Sequence, residues 1–142
     1  VKKTIDNIIW IDKMVTKEEV IQLYSHADVF CCPSIYEPFG IINIEAMACD
    51  TAVVASAVGG IKEVVVDGET GILIPLEQQT EAPFEPIDPD KFSRDLADGI
   101  NKIINDKDLR ETMAKNGRKR VEDYFDWIAI AKQVEELYKS LI

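Results

Sequence analysis

Positive charge is scarce in the first half of this 142-residue chain, which has no lysine or arginine between Lys17 and Lys62. Over the whole chain 26 acidic residues face 16 basic ones, a formal net charge of −10. That balance argues against nucleic acid or an anionic membrane surface as partner, because both select for clustered Lys and Arg. A neutral polymer such as a glucan would not be repelled. Histidine is nearly absent as well: His26 is the only one. With no second Cys/His pair to join it, no metal is expected, and His26 reads as a helix-end cation or a solvated side chain. Cysteine is sparse and odd in number, at three. Cys31 and Cys32 are neighbours that would point to opposite faces of a strand, which rules out an ordinary disulfide framework. They read as reduced core residues of a cytoplasmic protein. No apolar run approaches the roughly 18 residues of a membrane span, and no signal peptide is expected.

What is present fits one domain, since a chain of this length buries about two-thirds of its unfolded surface. Strand and helix patterns alternate along it. Ile8 to Ile11 reads as a short strand behind polar Lys2, Lys3 and Asp6. Thr16 followed by Glu19 is a capping-box pattern opening an amphipathic helix through Tyr24. A central unit follows, with strands over 28–32, 52–56 and 71–74, helices over 41–49 and 61–66, and loops over 33–40 and 57–60. Strands separated by helices imply parallel pairing through right-handed crossovers. The expected fold is therefore α/β, a Rossmann-like parallel sheet with flanking helices.

Residues 75–90 hold four of the six prolines around a lone Phe84, a surface loop with Phe84 as anchor. Asp88-Pro89 makes an N-cap and first helical position for a helix over 89–105. Asp106 and Asp126 cap two more helices. The second of these three carries Arg118-Lys119-Arg120, read as a solvated face. The last presents Trp127, Ile130, Val134, Leu137, Tyr138 and Leu141 at helical spacing.

The chain is organised around Ser34-Ile35-Tyr36-Glu37-Pro38-Phe39-Gly40-Ile41-Ile42-Asn43-Ile44-Glu45-Ala46-Met47-Ala48, a strand exit, a loop and a helix start. Ligands of open α/β sheets gather at such junctions, where helix N-termini offer unpaired N–H groups to an anion. Glu37 sits in the loop, where a solvated carboxylate costs nothing. Glu45 falls one turn into a helix whose other residues are apolar, so it is expected to be buried beside a partner. That partner is either structural, a loop N–H or hydroxyl, or a ligand. Gly59-Gly60 serves a tight strand-to-helix turn, close approach to a ligand, or both.

Glu37-Pro38-Phe39-Gly40 followed by Glu45-Ala46-Met47-Ala48 resembles the glutamate, seven residues, glutamate motif of retaining glycosyltransferases of the glycogen-synthase type, enzymes of the two-domain GT-B fold. The resemblance continues through Val58-Gly59-Gly60-Ile61 and Asp67-Gly68-Glu69-Thr70-Gly71 into the C-terminal helices. It implies the C-terminal, donor-binding part of such an enzyme. Residues 1–125 would be an incomplete nucleotide-sugar-binding domain, and 126–142 a helix crossing back to an N-terminal domain.

The implied substrate is a nucleoside-diphosphate sugar, ADP-glucose or UDP-glucose, without a metal. Glu37 would stand beside the donor sugar as the catalytic residue, and Glu45 would accept hydrogen bonds from the ribose hydroxyls. Phe39, Gly40, Ile41, Ile42, Gly59 and Gly60 would line the donor. The implied reaction moves glucose onto a growing α-1,4-glucan with retention, the acceptor lying on the N-terminal domain. Alternatives are a related retaining transferase (maltose-1-phosphate, sucrose, trehalose or cell-envelope glycan synthesis) and a non-catalytic nucleotide-sugar-binding module. Two departures matter: Cys49-Asp50-Thr51-Ala52 stands where the family usually has glycine, and the family's donor-binding arginine and lysine would precede Val1. A 142-residue chain without them is expected to be inactive alone.

Overall fold

A computed structural model describes residues 2–141. Its centre is a parallel three-stranded sheet in the order β3 (Val29–Cys32), β4 (Ala52–Ser56), β5 (Gly71–Ile74). Val29 pairs with Ala52 and Val53 with Gly71, so sequence order and spatial order coincide. Every residue of β4 is buried, as a strand covered on both faces must be.

The period-two alternation of β4 divides the core. Val53 and Ala55 pack with Ala46 and Met47 of α2 (Ile41–Ala48) and with Ile61 and Val64 of α3 (Ile61–Val64). Ala52 and Val54 face the other way, onto Ile103 of α4 (Pro89–Asn105) and Met113 of α5 (Lys107–Tyr124). Two crossovers on one face and a helical pair on the other leave both loops, 33–40 and 57–60, at the carboxyl edge of the sheet.

The caps agree with the sequence. Thr16 and Glu19 form a reciprocal capping box at α1 (Lys17–Ser25). The carboxylates of Asp88, Asp106 and Asp126 accept from Lys91, Leu109 and Ala129 backbone N–H groups, opening α4, α5 and α6 (Trp127–Ser140). Each cap satisfies a donor that no intrahelical carbonyl can reach. α6 packs on α5, and Trp127, Leu137 and Tyr138 stand exposed along it.

Several expectations are corrected. Ile8–Ile11 is a strand, β2, but it forms an antiparallel hairpin with β1 (Lys2–Ile5) through a turn in which Asp6 takes φ 52. The lysines ahead of it hid that partner strand. Its residues are exposed and lie outside the parallel sheet. α3 stops at Val64, because Val65 is already extended.

The basic run is not simply a solvated face. Arg118 Nη1 donates to Ala48 O at 2.7 Å, while Arg120 donates to Val64 O and Glu63 O, both at 2.8 Å. Two guanidiniums thus cap the carbonyl ends of α2 and α3, the position where a cation is favoured. Only Lys119 behaves as a surface residue, pairing with Asp123 one turn on.

Asp50 occupies the left-handed region at φ 57, as the missing glycine implied, and Arg118 reaches its carboxylate at 3.3 Å. A Cβ in that region costs about 1–2 kcal/mol, least for Asp and Asn, and an exposed ion pair returns about 0–1 kcal/mol. Asp50→Gly is therefore expected to be neutral or stabilising by up to about 1 kcal/mol, whereas β-branched Asp50→Val should lose about 1–2 kcal/mol. Urea unfolding midpoints of the two variants check this; a valine variant as stable as the glycine variant would remove the backbone argument.

Candidate functional site

β3 ends at Cys32 and β4 at Ser56, and the loops that leave them are stitched together. Gly60 donates its N–H to Glu37 O at 3.1 Å. The approach is so close that a Cβ on Gly59 would lie 2.0 Å from Glu37 O, and one on Gly60 would lie 2.4 Å from Pro38 O. Gly59 also takes φ +47. Glycine is required here on both counts, with backbone packed directly on backbone.

Beneath the seam, Ser56 donates its hydroxyl to Ser34 O and, at 3.4 Å, to Cys32 O. The sequence signal for this anchor, which motif reasoning missed, is a polar side chain ending an otherwise apolar buried strand.

The same loop enters α2 through Gly40, which is buried and left-handed at φ 97. No side chain among the described residues caps α2. The N–H groups of its first turn, at Ile41 and Ile42, therefore keep the donor capacity and partial positive charge of a helix start. Glu37 reaches over this point, with its Cγ 3.6 Å from the position a Gly40 Cβ would occupy. Glu37, Gly40, Gly59 and Gly60 are thereby brought together at the carboxyl edge of the sheet, and the neighbouring Phe39, Ile41 and Ile42 are exposed.

The two glutamates exchange the environments expected of them. Glu37 is half-buried, and Glu45 is exposed. The helix is one-sided rather than wholly buried: Asn43, Ala46 and Met47 face the core, while Ile41, Ile42 and Glu45 share the outer face. An unbroken apolar run concealed that asymmetry, because periodicity is invisible when nearly every position is apolar.

Glu45 nevertheless has a structural neighbour in Tyr24 of α1. Burial first, and then the Glu45 carboxylate, raise the Tyr24 phenol above its ordinary value. Asn43 takes the buried place predicted for Glu45. It is 0% exposed, with Nδ2 3.7 Å from Cys32 Sγ and no partner for Oδ1 among the described residues. The cysteines are free, and burial pushes the Cys31 thiol up. His26 Nδ1 lies 2.9 Å from Gln22 O at the end of α1, away from the site residues in sequence and contact. No group of three or more His, Cys, Asp or Glu side chains placed to hold a metal occurs among the described residues. No described helix is long and apolar enough to cross a membrane.

The parallel sheet with helices on both faces is a Rossmann-like arrangement, and its match to solved glycosyltransferase structures makes it a domain of the GT-B type. The sequence profile of glycosyl transferases group 1 matches residues 2–83, more than half of the chain, and the chain belongs to that family. It is 40% identical over 134 residues to the alpha-maltose-1-phosphate synthase of Mycolicibacterium smegmatis, covering 94% of this chain and 33% of that protein.

Among solved structures it resembles sucrose-phosphate synthase from Thermosynechococcus elongatus, with a TM-score of 0.71 at 43% identity over 89% of this chain and 28% of the other. It also resembles Anabaena HepE in complex with UDP and glucose, with a TM-score of 0.68 at 32% identity over 86% of this chain and 30% of the other. The chain thus spans about a third of the length of these relatives.

The seam and the Tyr24 contact can each be tested. Gly59→Ala combines a left-handed Cβ with a backbone clash, so it should cost about 2–4 kcal/mol, read by chemical denaturation; a loss below about 1 kcal/mol would mean that the loops part without cost. The raised Tyr24 phenol means that the folded state holds its proton more tightly than the unfolded state. Stability from this group is then intact below pH 10.0 and declines as pH rises through and above it. Tyr24→Phe should flatten that part of a stability profile.

Proposed function

We propose that this chain is part of the donor-binding domain of a retaining glycosyltransferase that moves a hexosyl group from a nucleoside-diphosphate sugar to a hydroxyl of a phosphorylated sugar. One observation carries the reading: an uncapped helix start entered through left-handed Gly40, with Glu37 over it and Gly59-Gly60 pressed against it without side chains. Such a surface offers N–H donors to a diphosphate and a carboxylate beside the sugar attached to it, on a loop that the two glycines hold in place.

Membership of the family supports the transferase class, and the complex of Anabaena HepE with UDP and glucose supports a UDP-sugar-sized ligand in a fold of this kind. The names of the mycobacterial and Thermosynechococcus relatives both describe a phosphorylated disaccharide as product. That support favours the maltose-1-phosphate or sucrose type of reaction over the elongation of an α-1,4-glucan.

In this reading the leaving group is the nucleoside diphosphate. The Ile41 and Ile42 N–H groups meet its charge, and the exposed Glu45 accepts from the ribose hydroxyls. Glu37 lies along the sugar, while Phe39 and the two isoleucines exclude water from the rim. The acceptor is held by the remainder of a longer protein. A helix start supplies only about half a positive charge, less than a departing diphosphate requires, so cationic side chains outside these 142 residues complete its neutralisation.

In the full-length enzyme, Glu45→Ala should weaken nucleoside-diphosphate binding by about 1.5–3 kcal/mol, the usual worth of hydrogen bonds to a charged group. Glu37→Gln should lower turnover far more than affinity, as a group engaged mainly in the transition state does. Calorimetric titration and initial rates separate these effects; equal affinity losses with unchanged turnover would overturn the division of roles. With glucose 1-phosphate, fructose 6-phosphate and glycogen offered in parallel, a phosphorylated sugar should be the preferred acceptor. Preference for glycogen would return the glucan reading.

A further inference from the structure

The proline-rich segment after β5 folds back on itself. Gln79 donates to Glu85 O at 3.0 Å and Ile87 to Glu77 O at 2.9 Å, making an irregular hairpin over 77–87. Its inner side is fastened to the loop that carries Glu37. Gln78 Nε2 donates at once to Ile35 O, at 2.8 Å, and to Phe84 O, at 2.9 Å. One residue beyond Ile35, the Tyr36 ring is stacked by Phe84, with centroids 5.5 Å apart and planes 13° from parallel. Phe84 holds φ +62, a conformation that a bulky side chain adopts only where its surroundings over-determine it.

A solvated loop cover needs none of these contacts. Together they give the loop before α2 a second fastening. Gly60 grips it at Glu37 O from the β4 side, and Gln78 grips it two residues earlier from the β5 side. A segment tied by the backbone immediately at and just before one residue has little freedom left at that residue.

The geometry points to Gln78 and Phe84 as positioning residues for the transfer reaction: through Ile35 and Tyr36 they fix the path of the loop, and with it the placement of the Glu37 carboxylate. Neither residue touches the reacting atoms. This inference rests on the role proposed for Glu37, and it adds that a strap about 40 residues downstream is part of what makes Glu37 effective. Gln78 suits the task because its amide has two N–H donors on one nitrogen, one for each carbonyl. A carboxylate of the same length would repel both carbonyls.

The test is a double-mutant cycle in the full-length enzyme, with turnover, nucleoside-diphosphate affinity and thermal midpoint read for each variant. Gln78→Ala should lower kcat about tenfold, in keeping with the sensitivity of catalysis to small displacements of a positioned group. Nucleoside-diphosphate affinity should change less than about twofold, because the helix start and Glu45 are untouched. In a Glu37→Gln background the same Gln78→Ala change should alter kcat less than about twofold, since the residue through which it acts is gone. Phe84→Leu should show the same pattern more weakly, Phe84→Tyr should retain most of the activity, and Gln78→Glu should be no better than Gln78→Ala.

Full additivity of Gln78→Ala and Glu37→Gln, or a kcat within about twofold of the parent for both Gln78→Ala and Phe84→Leu, would overturn the inference. If Gln78→Ala does not fold, Phe84→Leu carries the cycle alone, under the same criteria. Should Glu37→Gln itself leave turnover unchanged, the role proposed for Glu37 fails first, and the result is distinguishable from a failure of the strap.

Discussion

Two backbone segments lie in contact at the carboxyl edge of this sheet because neither member of Gly59-Gly60 has a Cβ. A Gly60 N–H to Glu37 O hydrogen bond closes the seam. Everything else about the site is a consequence of that approach. It sets where Pro38 and Phe39 run, hence where the chain turns through Gly40 into α2, hence which N–H groups face outward. The parallel sheet makes the meeting possible by bringing the ends of adjacent strands β3 and β4 to the same edge.

The environments of the two acidic side chains follow from this frame. Glu37 is drawn in, half-buried over the start of α2, where the partial positive charge of the helix offsets part of the cost of desolvation. Glu45 is turned outward, because the inward face of α2 is taken by Asn43, Ala46 and Met47 against the core. Its carboxylate is exposed one turn into the helix, with Tyr24 of α1 as its structural neighbour.

Strong periodicities and chemical punctuation made most of the fold legible. The Asp-Pro start of α4, the capping box of α1, the Asp caps of α5 and α6 and the three strands of the sheet stand where local patterns place them. Sequence alone also placed the loop before α2 and Gly59-Gly60 at the same edge of the sheet, where they meet. What escaped was tertiary in origin. Lys2 and Lys3 concealed a strand defined only by its partner. Arg118 and Arg120 of α5 took carbonyl partners 56 to 70 positions away. The near-uniform apolar character of α2 could not say which of its faces would be covered. Phe84 was legible as the anchor of its loop and Gln78 only as a loop residue, and nothing local to them names Tyr36 or Ile35 as the partner.

The dipole of α2 has a further electrical consequence. A helix carries opposite partial charges at its two ends, and at a distance their potentials nearly cancel, leaving a dipole whose potential weakens as the square of separation. Arg118 sits on the Ala48 carbonyl, but it also pairs with the Asp50 and Glu122 carboxylates, so its charge is spent locally and the helix remains a dipole. In a stretch of chain without a lysine or arginine from Glu18 to Ile61, the uncapped N–H groups at Gly40 therefore act on an anion only at short range, where their partial charge is not yet cancelled by the far end.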